Sequence, residues 1–165
     1  TKYCPKGSMR QVLENSNSPI EWALKQKWAL QIAMGVKALH QRSSYSGDLK
    51  LDNIILCSDA NDIYLIDVYP TSGYTHSYTP PELDEIEPEL TPARDVFALG
   101  IILWALSKEI SEFEKEEIPA GCWVEDDEVV PNWFRQLVVS CLAEDPSSRP
   151  TVEVVVNTLS QSLTD

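Results

Sequence analysis

Residues 91–108 read TPARDVFALGIILWALSK, and this run decides the fold. Threonine followed by proline marks a helix start. The hydroxyl can accept from an otherwise unpaired first-turn amide, and proline at the first helical position gives up no hydrogen bond. From residue 93 to about 108 the side chains are apolar on nearly every side rather than along one stripe. A helix of that kind must be buried all round, so it should be the central axis of the domain, with Phe97, Ile101 and Trp104 among its core contacts. Its apolar stretch, residues 96–106, is too short to cross a bilayer.

Working outward, helices should surround this axis. Ser8 with Gln11 fits a capping box ahead of a short helix over residues 9–14. Ser18-Pro19-Ile20-Glu21 looks like another cap with proline at the first helical position. Beyond it Leu24, Trp28, Ile32, Val36 and Leu39 recur at helical spacing up to His40. Thr79-Pro80-Pro81-Glu82 reads as a further cap-like start. Residues 133–142 and 152–163 predict two more helices. NIIL and IYLID are short β-branched runs separated by CSDAND, whose Ser, Asp and Asn favour a turn. The expectation is a mainly α domain of about six helices around a buried central helix, with one small β-hairpin.

The 165 residues suit one domain with a sizeable core, and 43% apolar content excludes a disordered chain. The formal net charge of −13 argues against a nucleic-acid surface, which needs clustered Lys and Arg. Acidity concentrates over residues 109–128, the pattern of a solvated loop or of a surface that attracts basic peptides. The N-terminal TKYCPKGSMRQ has no apolar signal core and no membrane segment is expected. Cys4, Cys57, Cys122 and Cys141 are scattered, so free thiols in a reducing cytoplasm are the expectation, not zinc or a disulfide framework. The chain starts without methionine or a cap, as a piece of something longer would.

Residues 45–67, YSGDLKLDNIILCSDANDIYLID, carry the chemistry. Phosphoryl transfer needs a carboxylate near the attacking hydroxyl, a cation near the γ-phosphate and oxygen ligands for Mg²⁺. Asp48, Lys50, Asn53 and Asp67 supply each of these, and the hairpin returns both its ends to one rim. Taken singly, each also fits an ordinary turn residue, solvated lysine or strand cap.

Beyond this span, KYCPKGSMRQVL is similar to the hinge of the eukaryotic-type protein kinases, and SGDLKLDN resembles their catalytic loop H-R-D-L-K-x-x-N. IDVY stands where D-F-G belongs and TPPE where A-P-E belongs. DVFALGIILWAL resembles D-V-W-S-F-G, and CLAEDPSSRPT is close to the family's C-terminal signature. The resemblance covers nearly the whole chain and implies the large helical C-terminal lobe, residues 1–165, with a hinge segment at 1–7 and no N-terminal lobe. It implies ATP and Mg²⁺ as cofactors and a protein or peptide substrate. By this resemblance Asp48 would take the substrate proton, and Lys50 would steady the γ-phosphate in the Ser/Thr manner. Asn53 and Asp67 would hold Mg²⁺. Lys2 and Cys4 would meet the adenine edge, and Ile55 would form its floor. Glu82 and Arg149 would form a structural ion pair, and Asp95 would hold the catalytic loop's backbone from below.

The sequence also departs from the family. Its six glycines form no G-x-G-x-x-G, and no strand offers a V-A-I-K lysine, so the chain alone should be nearly inactive. Ser46 and Gly47 replace the His and Arg of the catalytic loop, and Tyr69 replaces the glycine of D-F-G. Only 14 residues separate Asp67 from Glu82. Two readings stay open: a Ser/Thr kinase lobe completed by an upstream N-lobe, and a kinase-like scaffold that binds partners without transferring phosphate. A stand-alone helical adaptor ranks last, since it explains none of the polar residues.

Overall fold

A computed structural model describes residues 7–57, 62–68, 75–84, 90–119, 123 and 129–163. Five α-helices lie among the described residues, α1 (Met9–Glu14), α2 (Trp22–His40), α3 (Pro92–Lys108), α4 (Asn132–Cys141) and α5 (Val152–Gln161). One hairpin joins them, β1 (Ile54–Cys57) and β2 (Asp62–Leu65). Where a sixth helix is expected, at Thr79-Pro80-Pro81-Glu82, the described residues show a 3-10 turn, Pro81–Asp84, and residues 85–89 lie outside the described residues.

α3 is the axis that its composition demands. Thr91 Oγ1 accepts from Arg94 N–H at 3.3 Å, Pro92 opens the helix, and every residue from 94 to 107 is buried. Phe97, Ile101 and Trp104 are all in the core. α4 packs closely across α3 at Gly100, where an added Cβ would lie 2.7 Å from Cys141 Cβ. α5 lies along α2. α3 ends on Glu109, which takes the left-handed conformation (φ 57°) usually left to glycine. That conformation lets the Glu109 carboxylate reach Lys25 Nζ at 2.7 Å and the Ile20 amide at 3.0 Å. Lys25 is buried and also donates to Ser107 O at 2.9 Å, so α2 grips the C-terminus of α3.

This contact also moves the start of α2. The expected cap at Ser18 with proline at the first helical position does not form, and the helix begins at Trp22 without a side-chain cap. The Ile20 amide points to Glu109 instead, and Ser16 Oγ donates to Ser18 O at 2.7 Å, so the segment is a tertiary anchor. The capping box of α1 forms as the sequence predicts, Ser8 Oγ with Gln11 N and Gln11 Oε1 with Ser8 N.

β1 and β2 pair antiparallel in the register Ile54↔Leu65, Ile55↔Tyr64, Leu56↔Ile63 and Cys57↔Asp62. Ile54 and Leu56 face the core, while Ile63 N–H donates to Gln31 Oε1 of α2 at 2.9 Å. The cysteine expectation needs correction: Cys57 is disulfide-bonded, and only Cys141 is a free thiol among the described residues. Scattered spacing hides such a pair because the fold, not sequence distance, brings sulfurs together. Burial pushes the Cys141 thiol up to about 12.

Glu82 and Arg149 form the expected ion pair. Arg149 Nη1 meets Glu82 Oε1 at 2.6 Å and Nη2 meets Oε2 at 2.7 Å. The remaining guanidinium N–H groups donate to the carbonyls of Ala143, Ala93 and Glu144, so all five are satisfied, and the group lies 4.8 Å from the Phe97 ring centre. Burial works to raise the Glu82 carboxyl, but the Arg149 hydrogen bonds outweigh it and hold the group below its ordinary 4.5.

Candidate active site

The site is built on the loop between α2 and β1. Asp95, in the first turn of α3 and 1% exposed, accepts from Ser46 N–H at 2.9 Å and Gly47 N–H at 3.0 Å. His40 Nε2, from the last turn of α2, lies 3.0 Å from the same carboxylate. The loop is thus anchored from below as expected. The bracing imidazole comes from His40, which also packs edge-on against Tyr45, rather than from position 46.

Above this anchor the polar groups converge. Asp48 Oδ2 lies 2.7 Å from Lys50 Nζ, and Asp48 Oδ1 accepts from Thr75 Oγ1 at 2.9 Å. Lys50 Nζ also donates to Thr75 Oγ1 at 3.0 Å, closing a three-membered cluster. Asn53 is buried, and its Nδ2 donates to Asp48 O at 3.0 Å. Its side-chain oxygen is therefore the atom a cation would use. Ile66 N–H donates to Asn53 O at 2.9 Å, and this bond brings the exposed Asp67 next to Asn53. Asp67 takes φ 51°, a left-handed conformation that aspartate tolerates better than most residues. Tyr78 supports the loop through Leu51 N–H, and burial raises its phenol to about 12.

Ile55 is half-buried on β1, paired with Tyr64 and bridged to Ser8, the residue that caps α1. Lys2 and Cys4, the expected adenine contacts, lie outside the described residues, as does Tyr69. Two residues of the site were not singled out in the sequence. Thr75 sits in a run of Ser, Thr and Tyr with nothing to distinguish it. Arg94 had a readable signal: a cation in the first turn of a helix opposes the macrodipole.

The donor set fits Mg²⁺. Among the described residues no three His, Cys, Asp or Glu cluster as a cage. Mg²⁺ at phosphate sites is held by one or two protein carboxylates, waters and the phosphates themselves, and the Asn53 side-chain oxygen and the exposed Asp67 carboxylate are groups of that chemistry. No described helix is long and apolar enough to cross a membrane.

Comparison with known proteins gives the same picture. A family profile described as "Protein kinase domain" matches residues 1–159. "Probable serine/threonine-protein kinase pats1" of Dictyostelium discoideum is 27% identical over 181 residues, 91% of this chain and 5% of that protein. "Cyclic GMP-binding protein C" of the same organism is 28% identical over 190 residues, covering 97% and 7%. "Atrial natriuretic peptide receptor 2" of Anguilla japonica is 27% identical over 188 residues, covering 91% and 17%. The chain therefore spans under a fifth of the length of each of these relatives. With a mainly helical fold, a two-stranded sheet and the family profile running through almost its full length, this chain belongs to the protein kinase domain family.

Proposed function

We propose that this chain is the helical lobe of a protein Ser/Thr kinase, which transfers the γ-phosphoryl group of ATP to a substrate hydroxyl once an upstream N-terminal lobe closes the cleft. The observation that carries this reading is the Asp48–Lys50–Thr75 cluster beside Asn53 and Asp67. Asp48 accepts the proton of the attacking hydroxyl and orients its oxygen. Lys50, held 2.7 Å from Asp48, places a cation where charge builds on the transferring group. Asn53 and Asp67 would hold Mg²⁺, which would neutralise phosphate charge when bound.

A basic peptide suits a chain of net charge −13, although Arg10 already occupies Asp52 at 2.9 Å and Glu112 at 3.1 Å. Any preference must therefore come from the other carboxylates.

The second reading, a binding scaffold without transfer, is supported by Ser46 and Gly47 in the catalytic loop and by relatives whose names declare binding or reception. Phosphorylation of a peptide array by the full-length protein separates the two. Asp48→Asn should abolish transfer and leave Mg-ATP binding intact, whereas Asp67→Asn should weaken Mg-ATP itself. Activity that survives Asp48→Asn removes the assignment, and an array silent with wild-type protein favours the scaffold.

A further inference from the structure

We propose that Arg94 is a positioning residue for Asp48, acting through the carbonyl of Gly47. Arg94 is 8% exposed and sits in the first turn of a 17-residue helix, where the macrodipole disfavours a cation. Helix stability does not account for it. Among the described residues its guanidinium donates from Nη2 to Gly47 O at 2.8 Å, a charge-assisted hydrogen bond, and its charge also helps hold the Glu82 carboxyl down. The next residue of α3, Asp95, holds the Gly47 amide at 3.0 Å. Two consecutive side chains of the central helix therefore grip both polar groups of Gly47, one residue before Asp48.

Gly47 needs that grip. It adopts φ 69°, a conformation that glycine leaves as readily as it enters. With its amide and carbonyl both fixed, the direction in which the chain delivers Asp48 is fixed too. Arg94 and Asp48 line the same small, partly open pocket with Thr75 and Thr79, about 10 Å³ in volume, room for about one water. A loop so closely backed cannot shift inward while Arg94 is in place. Losing the guanidinium opens that space and frees the Gly47 carbonyl.

The proposal rests on the phosphoryl-transfer reading only for its kinetic consequence, so the test has two arms in the full-length protein. Hydrogen exchange compares wild type with Arg94→Met and Arg94→Lys. Amides 46–49 should exchange about tenfold faster in Arg94→Met, while those of α3 stay at wild-type rates, because the opening is local. In steady-state phosphorylation, Arg94→Met should lower kcat about 10²-fold, the scale of a small misplacement of a reacting group, with KM for ATP unchanged. Arg94→Lys, which can still offer one N–H to Gly47 O, should recover most of both. If wild type transfers no phosphate, the functional reading fails and the exchange arm alone decides. Wild-type exchange at 46–49 in a folded Arg94→Met protein, faster exchange throughout α3, or a rise in KM with kcat unchanged would each overturn the positioning role.

Discussion

Glu82 and Arg149 show how one pair of residues carries stability that depends on pH. Arg149 is fully buried at its side chain, whereas Glu82 keeps 32% exposure, so the arginine is the partner that cannot be left alone. Glu82→Gln keeps the shape and removes the counter-charge. It should lower unfolding stability by about 3 kcal/mol, the low end for a broken buried pair because the glutamate faces partly to water. The urea midpoint at neutral pH measures it. The sign with pH follows from the lowered carboxyl. Below 4.5 the unfolded chain takes up the proton first, so the pair's contribution is full above that value and is lost as pH falls through the lower folded value. Acid sensitivity in that window should shrink in Glu82→Gln. The pair was legible because both partners stand in distinctive motifs. Asp48, Lys50 and Asn53 were legible for the same reason, while Thr75 takes its meaning only from the two charged groups that meet its hydroxyl.

Elements were read best where burial is one-sided in its demands. α3 is apolar all round, and no arrangement other than a central one hides it. Its crossing with α4 is close because Gly100 has no side chain. Gly100→Ala would set a Cβ 2.7 Å from Cys141 Cβ and 3.1 Å from Leu142 Cδ2. The first is rooted at the backbone and cannot swing away. Overpacking costs about 1–3 kcal/mol against the roughly 1 kcal/mol that alanine gains over glycine in a helix, so we expect a net loss of up to about 2 kcal/mol. A lowered melting temperature with unchanged helical circular dichroism checks it, and a gain in stability would mean that α4 can move away freely. The start of α2 was not legible. Its pattern satisfies every local rule for a cap at Ser18, yet the Ile20 amide takes a carboxylate 89 positions away. Local rules cannot see a partner at that distance.

At the scale of the molecule, the candidate site lies on one rim of a helical body. Mg-ATP should bind the isolated 165-residue chain only weakly, because positioning and exclusion of water need walls on both sides of the nucleotide. Thermal stability followed during Mg-ATP titration tests this, and submicromolar binding would show that this chain is sufficient. The fold class was legible because the motifs keep their order along the chain. The covalent tie at Cys57 was not, since nothing in its neighbouring residues announces a partner.

The grip of Lys25 on the end of α3 has a consequence for time rather than for equilibrium. Its contacts to Ser107 and Glu109 join segments more than eighty residues apart, and both helices must already be in place before the ammonium can be buried. We expect a contact of this kind to form after the folding barrier, so that it slows escape from the native state without hastening arrival. Lys25→Met, which keeps the aliphatic stem, should raise the unfolding rate about tenfold and leave the folding rate within about twofold. In a denaturant chevron only the unfolding limb should move. A displaced folding limb would show instead that α2 and the end of α3 meet early, and that the lifetime of the folded chain is set elsewhere.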